Sequence, residues 1–144
     1  MPESPLVSIV VITLNTPRLT RACLESVLQN TSVAYELIVI NNSNAAAIQK
    51  VLRSFPRIRS IQNKKNLGFA KAANQGSLAA RGRYVCFLNS DALVPPNWLE
   101  RLLDAVQRPG VGAVGPLSQH IHRFKCNWPP PQLPANETTT ALAD

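Results

Sequence analysis

The apolar stretch at residues 6–13, LVSIVVIT, constrains the fold of this chain more than any other sequence feature. It is rich in β-branched residues, and apolar side chains fall on both faces of the strand that it would form. That pattern is typical of a strand buried within a parallel sheet. The stretch is far shorter than the roughly 20 apolar residues that cross a bilayer, and no basic segment precedes it, so we expect neither a membrane span nor a secretory signal here.

Short apolar segments alternate with segments of helical periodicity along most of the chain. Predicted strands cover residues 6–13, 36–40, 57–62, 84–88 and 111–114, and predicted helices cover residues 17–29, 45–54, 69–80 and 97–107. The alternation predicts an α/β fold with a parallel sheet between helices on both faces, a Rossmann-like three-layer α/β/α arrangement. The third strand carries charge and is expected near a sheet edge. Thr16 and Asn97 are predicted helix N-caps, and Gly82 fits a helix C-terminus.

The α/β pattern fades after residue 116. Five of the 12 prolines fall between residues 116 and 144, and a run of threonines follows them. This composition predicts an α/β domain over residues 1–116 and a Pro-rich, extended or disordered tail over residues 117–144.

Two weaker patterns carry no function. Residues 110–115 spell G-x-G-x-x-G, but a dinucleotide-binding fingerprint must follow a strand and open a helix, and this segment is predicted to follow a helix and to contain a strand. No zinc site is predicted at His120, His122 and Cys126, because a fourth ligand is missing.

Three cysteines without paired spacing favour a reducing compartment. We therefore expect a cytoplasmic location, either in solution or at the inner face of the membrane.

Positive charge is concentrated in one part of the chain. The formal net charge is +7, and the nine Lys and Arg residues between Glu36 and Asp91 are accompanied by no acidic residue. Such a block predicts an anionic partner (a nucleotide, a nucleic acid or an anionic membrane face), and the alternative is a solvated basic surface without a partner. The block has no DNA-reading motif and few aromatic residues, so a nucleic-acid partner is not expected.

Small polar residues follow three of the predicted strands. They are Thr13 and Asn15 after the first, residues 41–43 after the second, and residues 89–91 after the fourth. Ligands of open parallel sheets bind at the carboxyl ends of the strands, near the point where strand order reverses. Asp91 is the only carboxylate between Glu36 and Glu100, and one carboxylate plus diphosphate oxygens suits Mg²⁺ or Mn²⁺. The alternative for each set is a role in capping or turn formation.

Seven segments resemble the opening of family 2 glycosyltransferases with the GT-A fold. They are residues 7–15 (VSIVVITLN), 23–28 (CLESVL), 36–43 (ELIVINNS), 66–70 (NLGFA), 80–85 (ARGRYV), 87–91 (FLNSD) and 96–100 (PNWLE). The segment FLNSD matches the family's D-x-D motif in an N-x-D form. The resemblance covers about residues 6–116 in the family's order and implies the N-terminal, nucleotide-sugar-binding part of the fold, truncated before the acceptor half.

The resemblance implies donor-binding roles for eight residues. Asp91 would coordinate the metal that bridges the diphosphate, and Asn89 would lie near the donor ribose or sugar. Thr13 and Asn15 would line the nucleoside pocket, and Asn41 would lie against the base. Lys71 and Asn74 would face the donor from the helix after Gly68, and Ser43 is the remaining substrate-binding position.

Three positions depart from the family. The family usually has an aspartate where Asn41 stands and an acid where Asn89 stands, and many members have an arginine where Ala73 stands. The nucleotide preference therefore stays open, with Lys71 as a nearby substitute cation.

The implied reaction is an inverting, metal-assisted transfer from a nucleotide-diphospho-sugar to a saccharide or lipid-linked acceptor. It needs a general base. The carboxylates after Asp91 are Glu100, Asp104, Glu137 and Asp144, of which the first two are predicted on a solvated helix face and the others in the tail. We therefore expect the base to be missing and the chain to supply mainly the donor-binding half. A truncated sheet would expose apolar surface, which favours a homo-oligomer.

Two other functions remain open. A non-catalytic nucleotide-binding or protein-interaction module would need no general base. A nucleotidyltransferase-like enzyme on a related sheet is disfavoured because the Gly/Arg/Lys-rich phosphate loop is missing near the N-terminus. Membrane contact is expected to be peripheral at most.

Overall fold

Strand β1 (Val7–Thr13) lies inside a four-stranded sheet in the computed structural model, which describes residues 5–116. It pairs in parallel with β2 (Tyr35–Asn41) on one side and with β4 (Tyr84–Asn89) on the other. Strand β3 (Ile58–Gln62) pairs in parallel with the other side of β2. The strand order is therefore β3-β2-β1-β4, with β3 at the edge, as its charge predicted.

A helix follows each strand. These helices are α1 (Pro17–Asn30), α2 (Ala46–Arg53), α3 (Phe69–Ala79) and α4 (Trp98–Val106). The structure confirms the α/β class, the first four predicted strands and all four predicted helices to within a few residues. Proline opens α1, because its fixed φ suits the first turn and its missing N–H is not needed there.

The two faces of the sheet are covered unequally. Helices α1, α2 and α4 pack on one face, where Leu24, Ile48 and Leu99 join the side chains of Val7, Ile9 and Val11 in the larger core. Helix α3 covers the other face, where Ala72 packs near Val10, Ile38 and Ile40. Both faces of β1 are thus buried, which explains its continuous apolar sequence.

The predicted fifth strand at residues 111–114 is wrong. Residues 111–116 have no regular secondary structure, and Val111 and Val114 remain 37% and 39% exposed. A strand needs a neighbour to pair its backbone, and within residues 5–116 no strand pairs with the outer edge of β4. Glycines at 110, 112 and 115 lower the strand propensity further.

The predicted caps also need correction. Thr16 and Asn97 precede α1 and α4 without a capping hydrogen bond from their side chains. Gly82 follows α3 by three residues and has another function, since a Cβ there would lie 2.6 Å from the backbone nitrogen of Ser8. The Ser8 hydroxyl accepts hydrogen bonds from the backbone N–H groups of Arg81 (3.1 Å) and Gly82 (2.9 Å), so this turn packs directly against β1.

Part of β4 is not covered. Its burial alternates, and Val85 and Phe87 are 40% and 48% exposed on the α3 side of the sheet. This agrees with the expected apolar surface of an incomplete sheet; self-association stays a prediction. None of the helices within residues 5–116 has the length and apolar character needed to cross a bilayer. The predicted tail, residues 117–144, and the His120, His122 and Cys126 set lie outside the described residues.

Helix α4 is fastened to the end of α1 by side-chain hydrogen bonds. The indole N–H of Trp98 donates to Thr31 Oγ1 (3.0 Å), and the hydroxyl and backbone N–H of Ser32 both donate to Glu100. Glu100 is partly exposed, but its carboxylate is hydrogen-bonded rather than free, which its spacing from Asp104 did not indicate. The hydrogen bond from the Ser32 hydroxyl holds the pKa of the Glu100 carboxyl below its ordinary value.

We expect Glu100→Gln to lower the free energy of unfolding at neutral pH, by an amount that shrinks in acid. A lowered pKa in the folded state means that the stabilisation is present above the ordinary value of 4.5 and is lost as pH falls below it and the folded carboxyl is protonated. Urea unfolding between about pH 7 and about pH 3 measures this. Asp104→Asn, at an exposed position of the same helix, is the matched control. A loss of stability in Glu100→Gln that does not change with pH would contradict the lowered pKa of Glu100.

Candidate functional site

The carboxyl ends of β1, β2 and β4 meet at one edge of the sheet. The register pairs Thr13 with Asn41 and Ile12 with Asn89, so the polar residues predicted at the three strand ends are neighbours. Strand order reverses between β1 and β4, because β2 and β3 lie to one side of β1 and β4 to the other. This is the position where open α/β sheets bind ligands.

The side chains of Thr13 and Asn41 are both fully buried at this edge. Thr13 Oγ1 shares a hydrogen bond of 2.7 Å with Thr20 Oγ1 of α1. Asn41 Nδ2 donates to Gln62 Oε1 (2.7 Å), and Asn41 Oδ1 accepts from the backbone N–H of Ser43 (3.0 Å). As placed, both side chains brace the edge from within, and their contact with a donor stays a prediction.

Asn15 and Ser43 link the loops that follow β1 and β2. The Ser43 hydroxyl donates to Asn15 Oδ1 and accepts from the backbone N–H of Ala45 (3.0 Å). Ser43 is 5% exposed, whereas Asn15 is exposed and has a φ of 53°. Asparagine adopts this left-handed conformation more readily than most residues. The pair therefore fixes a sharp exit of the chain from β1, with Asn15 presented to solvent.

Asn89 and Asp91 are both exposed beyond the end of β4. The backbone N–H of Ala92 donates to the carbonyl of Asn89 (3.1 Å), which forms a turn and carries Asp91 past the sheet edge. The Cys23 thiol lies beneath this turn and donates to the same carbonyl (3.4 Å). Burial, and then the nearby charge of Asp91, raise the pKa of the Cys23 thiol to about 11. Asp91 thus presents a carboxylate to solvent above a neutral buried thiol.

The described residues contain no cluster of three or more metal-ligating side chains. Asp91 could therefore contribute one carboxylate oxygen to a hard divalent cation, and the other ligands would have to be oxygens of a bound substrate and water. An exposed carboxylate at the strand-order reversal fits such a site.

Lys71 and Asn74 are exposed on α3, which packs on the opposite face from α1. Both lie in the part of α3 that begins beside the carboxyl ends of the strands. No side-chain hydrogen bond among residues 5–116 joins them to Asn15, Ser43 or Asp91. The structure thus brings together the strand-end residues and leaves the two α3 residues as separate exposed groups.

A second set of amide side chains was missed in the sequence. Asn63 Nδ2 donates to Asn42 Oδ1 and Gln75 Oε1 (both 2.7 Å), and Gln75 Nε2 donates back to Asn63 Oδ1 (2.9 Å). Gln62 Nε2 donates to the carbonyl of Ser43 (2.9 Å). These bonds tie the ends of β2 and β3 to α3. The polar pair at residues 62–63, at the end of the third predicted strand, was the signal that could have found them.

A groove of about 570 Å³ lies away from the carboxyl edge, at the opposite end of β4, where Arg83, Tyr84 and Gln107 line it. A ligand at the carboxyl edge would therefore be held by loops and side chains that project from the strand ends.

Asn41→Ala is expected to destabilise the fold by about 1–3 kcal/mol, because Gln62 Oε1 and the N–H of Ser43 would lose their partner in a buried setting. Asn74→Ala, at an exposed position, is the control and should change stability by less than about 0.5 kcal/mol. Urea unfolding monitored by circular dichroism measures both. Equal effects of the two substitutions would show that the Asn41 amide does not brace the edge.

Comparisons with known proteins agree with this architecture. The sequence model of the family described as "Glycosyl transferase family 2" matches residues 8–140. A putative glycosyltransferase, EpsH of Bacillus subtilis (strain 168), is 31% identical over 104 residues, which are 70% of this chain and 30% of EpsH. The uncharacterized glycosyltransferase EpsJ of the same strain is 30% identical over 140 residues, which are 94% of this chain and 40% of EpsJ.

Solved structures show the same fold. The mannosyltransferase PcManGT from Pyrobaculum calidifontis, in complex with GDP-Man and Mn²⁺, matches with a TM-score of 0.64 and 20% identity over 75% of this chain and 34% of its own. Residues 1–349 of TarS from S. aureus match with a TM-score of 0.61 and 23% identity over 69% of this chain and 32% of that one.

The chain spans less than half the length of these relatives, with 30% of EpsH and 40% of EpsJ covered. The family match nevertheless extends over most of the chain, and the parallel sheet with its helices is the α/β architecture of the GT-A class. The chain therefore belongs to glycosyl transferase family 2.

Proposed function

We propose that the carboxyl edge of β1, β2 and β4 binds a nucleotide-diphospho-sugar and that this chain supplies mainly the donor-binding half of an inverting, metal-assisted glycosyltransferase. The exposed Asp91 carboxylate, placed beyond β4 where strand order reverses, is the observation that carries the proposal. Family membership and the GDP-Man and Mn²⁺ found in the PcManGT structure support it. The acceptor would be a saccharide or a lipid-linked saccharide.

The donor diphosphate and its metal would lie at Asp91. Asp91 would hold Mg²⁺ or Mn²⁺ through one carboxylate oxygen, since residues 5–116 contain no cluster of three or more metal-ligating side chains. The bound ion would neutralise the charge that develops on the departing diphosphate. Asn89, exposed two residues earlier, would hydrogen-bond the ribose or the sugar.

The nucleoside would lie over the loops after β1 and β2. Asn15 offers its exposed amide group there, and Ser43 orients that amide from below. Thr13 and Asn41 would hold these loops in position, and Asn41 would lie beneath the base. Lys71 and Asn74 would approach the donor from α3, where the ammonium group of Lys71 could reach an anionic oxygen.

Inversion requires a base that removes a proton from the acceptor hydroxyl. Within residues 5–116, the carboxylates after Asp91 are Glu100 and Asp104 on α4. Glu100 accepts hydrogen bonds from Ser32 at the end of α1, away from the proposed donor edge. We therefore place the general base outside residues 5–116, and turnover would depend on it.

The lack of an assigned general base within residues 5–116 leaves one alternative function. A nucleotide-binding or protein-interaction module without turnover would use the same edge and need no base.

For either function we place the chain in the cytoplasm. Any contact with the membrane would be peripheral, at its inner face. Free Cys23 and Cys86 agree with a reducing compartment.

Asp91→Asn is expected to abolish metal-dependent stabilisation by nucleotides. In the parent chain, UDP, GDP or dTDP at about 100 times its dissociation constant, with Mn²⁺, adds about 2.7 kcal/mol, or several degrees in Tm. A thermal-shift screen with and without Mn²⁺ measures this. Asp104→Asn removes the same charge from α4 and should keep the full shift.

Two outcomes would contradict the proposal. One is a folded parent chain that no nucleotide stabilises at any metal concentration, which would leave a protein-interaction module. The other is an Asp91→Asn variant with an unchanged metal-dependent shift, which would move the metal away from this edge.

A further inference from the structure

A groove of about 410 Å³ lies along β3, at the sheet edge furthest from β4. Leu52, Phe55 and Ile58 form its apolar floor, and Arg53, Ser60 and Gln62 are among its polar lining residues. Leu52, at the end of α2, and Phe55, in the connection between α2 and β3, are almost fully buried and belong to the larger core. The groove therefore combines a firm apolar base with a polar margin.

The backbone of β3 is free along this groove. The N–H of Asn63 donates to the carbonyl of Asn41, so it points toward β2 (2.9 Å). By the two-residue period of a strand, Ser60 and Gln62 direct their backbone groups the other way, where no strand within residues 5–116 pairs with them. An unpaired edge of this kind is a template for another strand.

The edge lacks the protection that charged side chains usually give. Arg59 is the one charged residue within β3, and its guanidinium turns to the α3 side, where it donates to the Ala79 carbonyl and lies 3.8 Å from Glu36. The β3 residues that line the groove are Ile58, Ser60 and Gln62, all uncharged. An incoming strand would therefore meet no charge of β3 inside the groove.

Positive charge lies at the groove and in the segments next to it, since Arg53 is one of the lining residues. Lys50 and Arg53 lie in the last turn of α2, Arg57 directly precedes β3, and all three are exposed. Among the described residues, ion pairs within 4.0 Å join Arg21 to Glu25 and Arg59 to Glu36, so these three cations have no carboxylate partner there. A second copy of the chain would add its own three exposed cations to this surface and no carboxylate of β3, so a homodimer is disfavoured at this edge.

We infer that the β3 edge is a docking site for an extended acidic segment of a partner protein, which adds to the sheet as a fifth strand. Main-chain hydrogen bonds to Ser60 and Gln62 would hold the segment, an apolar side chain would lie on the groove floor, and its carboxylates would pair with Arg53 and Arg57. An anionic membrane would use the charge but not the groove or the free strand edge. No residue of the proposed donor set lines this groove, although Gln62 at its end is hydrogen-bonded to Asn41 and Ser43 of that set.

The test uses the full chain and a fluorescein-labelled heptapeptide of alternating glutamate and valine. We expect saturable binding by fluorescence anisotropy at low salt that weakens as salt is added. The Arg53→Gln/Arg57→Gln double variant should bind at least about fivefold more weakly, since two exposed ion pairs are lost. Arg101→Gln/Arg108→Gln, which removes the same charge from the α4 region, is the matched control and should stay within about twofold of the parent. Amide NMR shifts on binding should map to β3 and α2.

Several results would overturn the inference. One is the absence of saturable binding by the parent chain, and another is equal weakening by the two double variants, which would indicate non-specific charge attraction. Peptide-induced amide shift changes of the chain that map away from β3 and α2 would also overturn the inference. Binding to phosphatidylserine vesicles that Arg53→Gln/Arg57→Gln abolishes, without peptide binding, would assign the surface to a membrane instead.

Discussion

The parallel pairing of β1 with β2 and β4 is the constraint on which the rest of the structure depends. Ile9, Val10 and Val11 are completely buried, because helices cover both faces of β1 and strands cover both edges. Burial of apolar surface on this scale is the main favourable term in folding. The same pairing aligns the carboxyl ends of three strands, so the polar residues that follow these strands lie together at one edge of the sheet.

The polar residues at the carboxyl edge of the sheet are of two kinds, buried and exposed. Thr13 and Asn41 are buried, and their side chains form hydrogen bonds with Thr20, Ser43 and Gln62. Buried polar groups with satisfied partners make a rigid support, whereas an unpaired one would be costly. Asn15 and Asp91 are exposed, Asn15 bonded to Ser43 and Asp91 on the turn above Cys23. In the proposed function, the exposed pair meets the donor and the buried pair fixes the geometry of the loops.

Much of this could be predicted from sequence, because local patterns report local structure. The apolar run of β1 and the helical periodicity of α1 identified their elements directly. Residues 111–114 failed because an apolar run becomes a strand only when another strand lies beside it, and that condition is non-local. The support role of Asn41 was hidden for the same reason, since its partner Gln62 lies 21 residues away on a different strand.

Paramagnetic broadening by Mn²⁺ in amide NMR spectra would show whether the carboxyl edge of the sheet holds a metal-bound nucleoside diphosphate. With Mn²⁺ and UDP or GDP together, we expect broadening centred on the amides of Ser90, Asp91 and Ala92 and extending to Asn15. The amides of Arg81 and Gly82, at the opposite end of the sheet, should stay sharp. Broadening centred at that opposite end, or a broadening pattern that is the same with and without nucleotide, would contradict donor binding at the carboxyl edge.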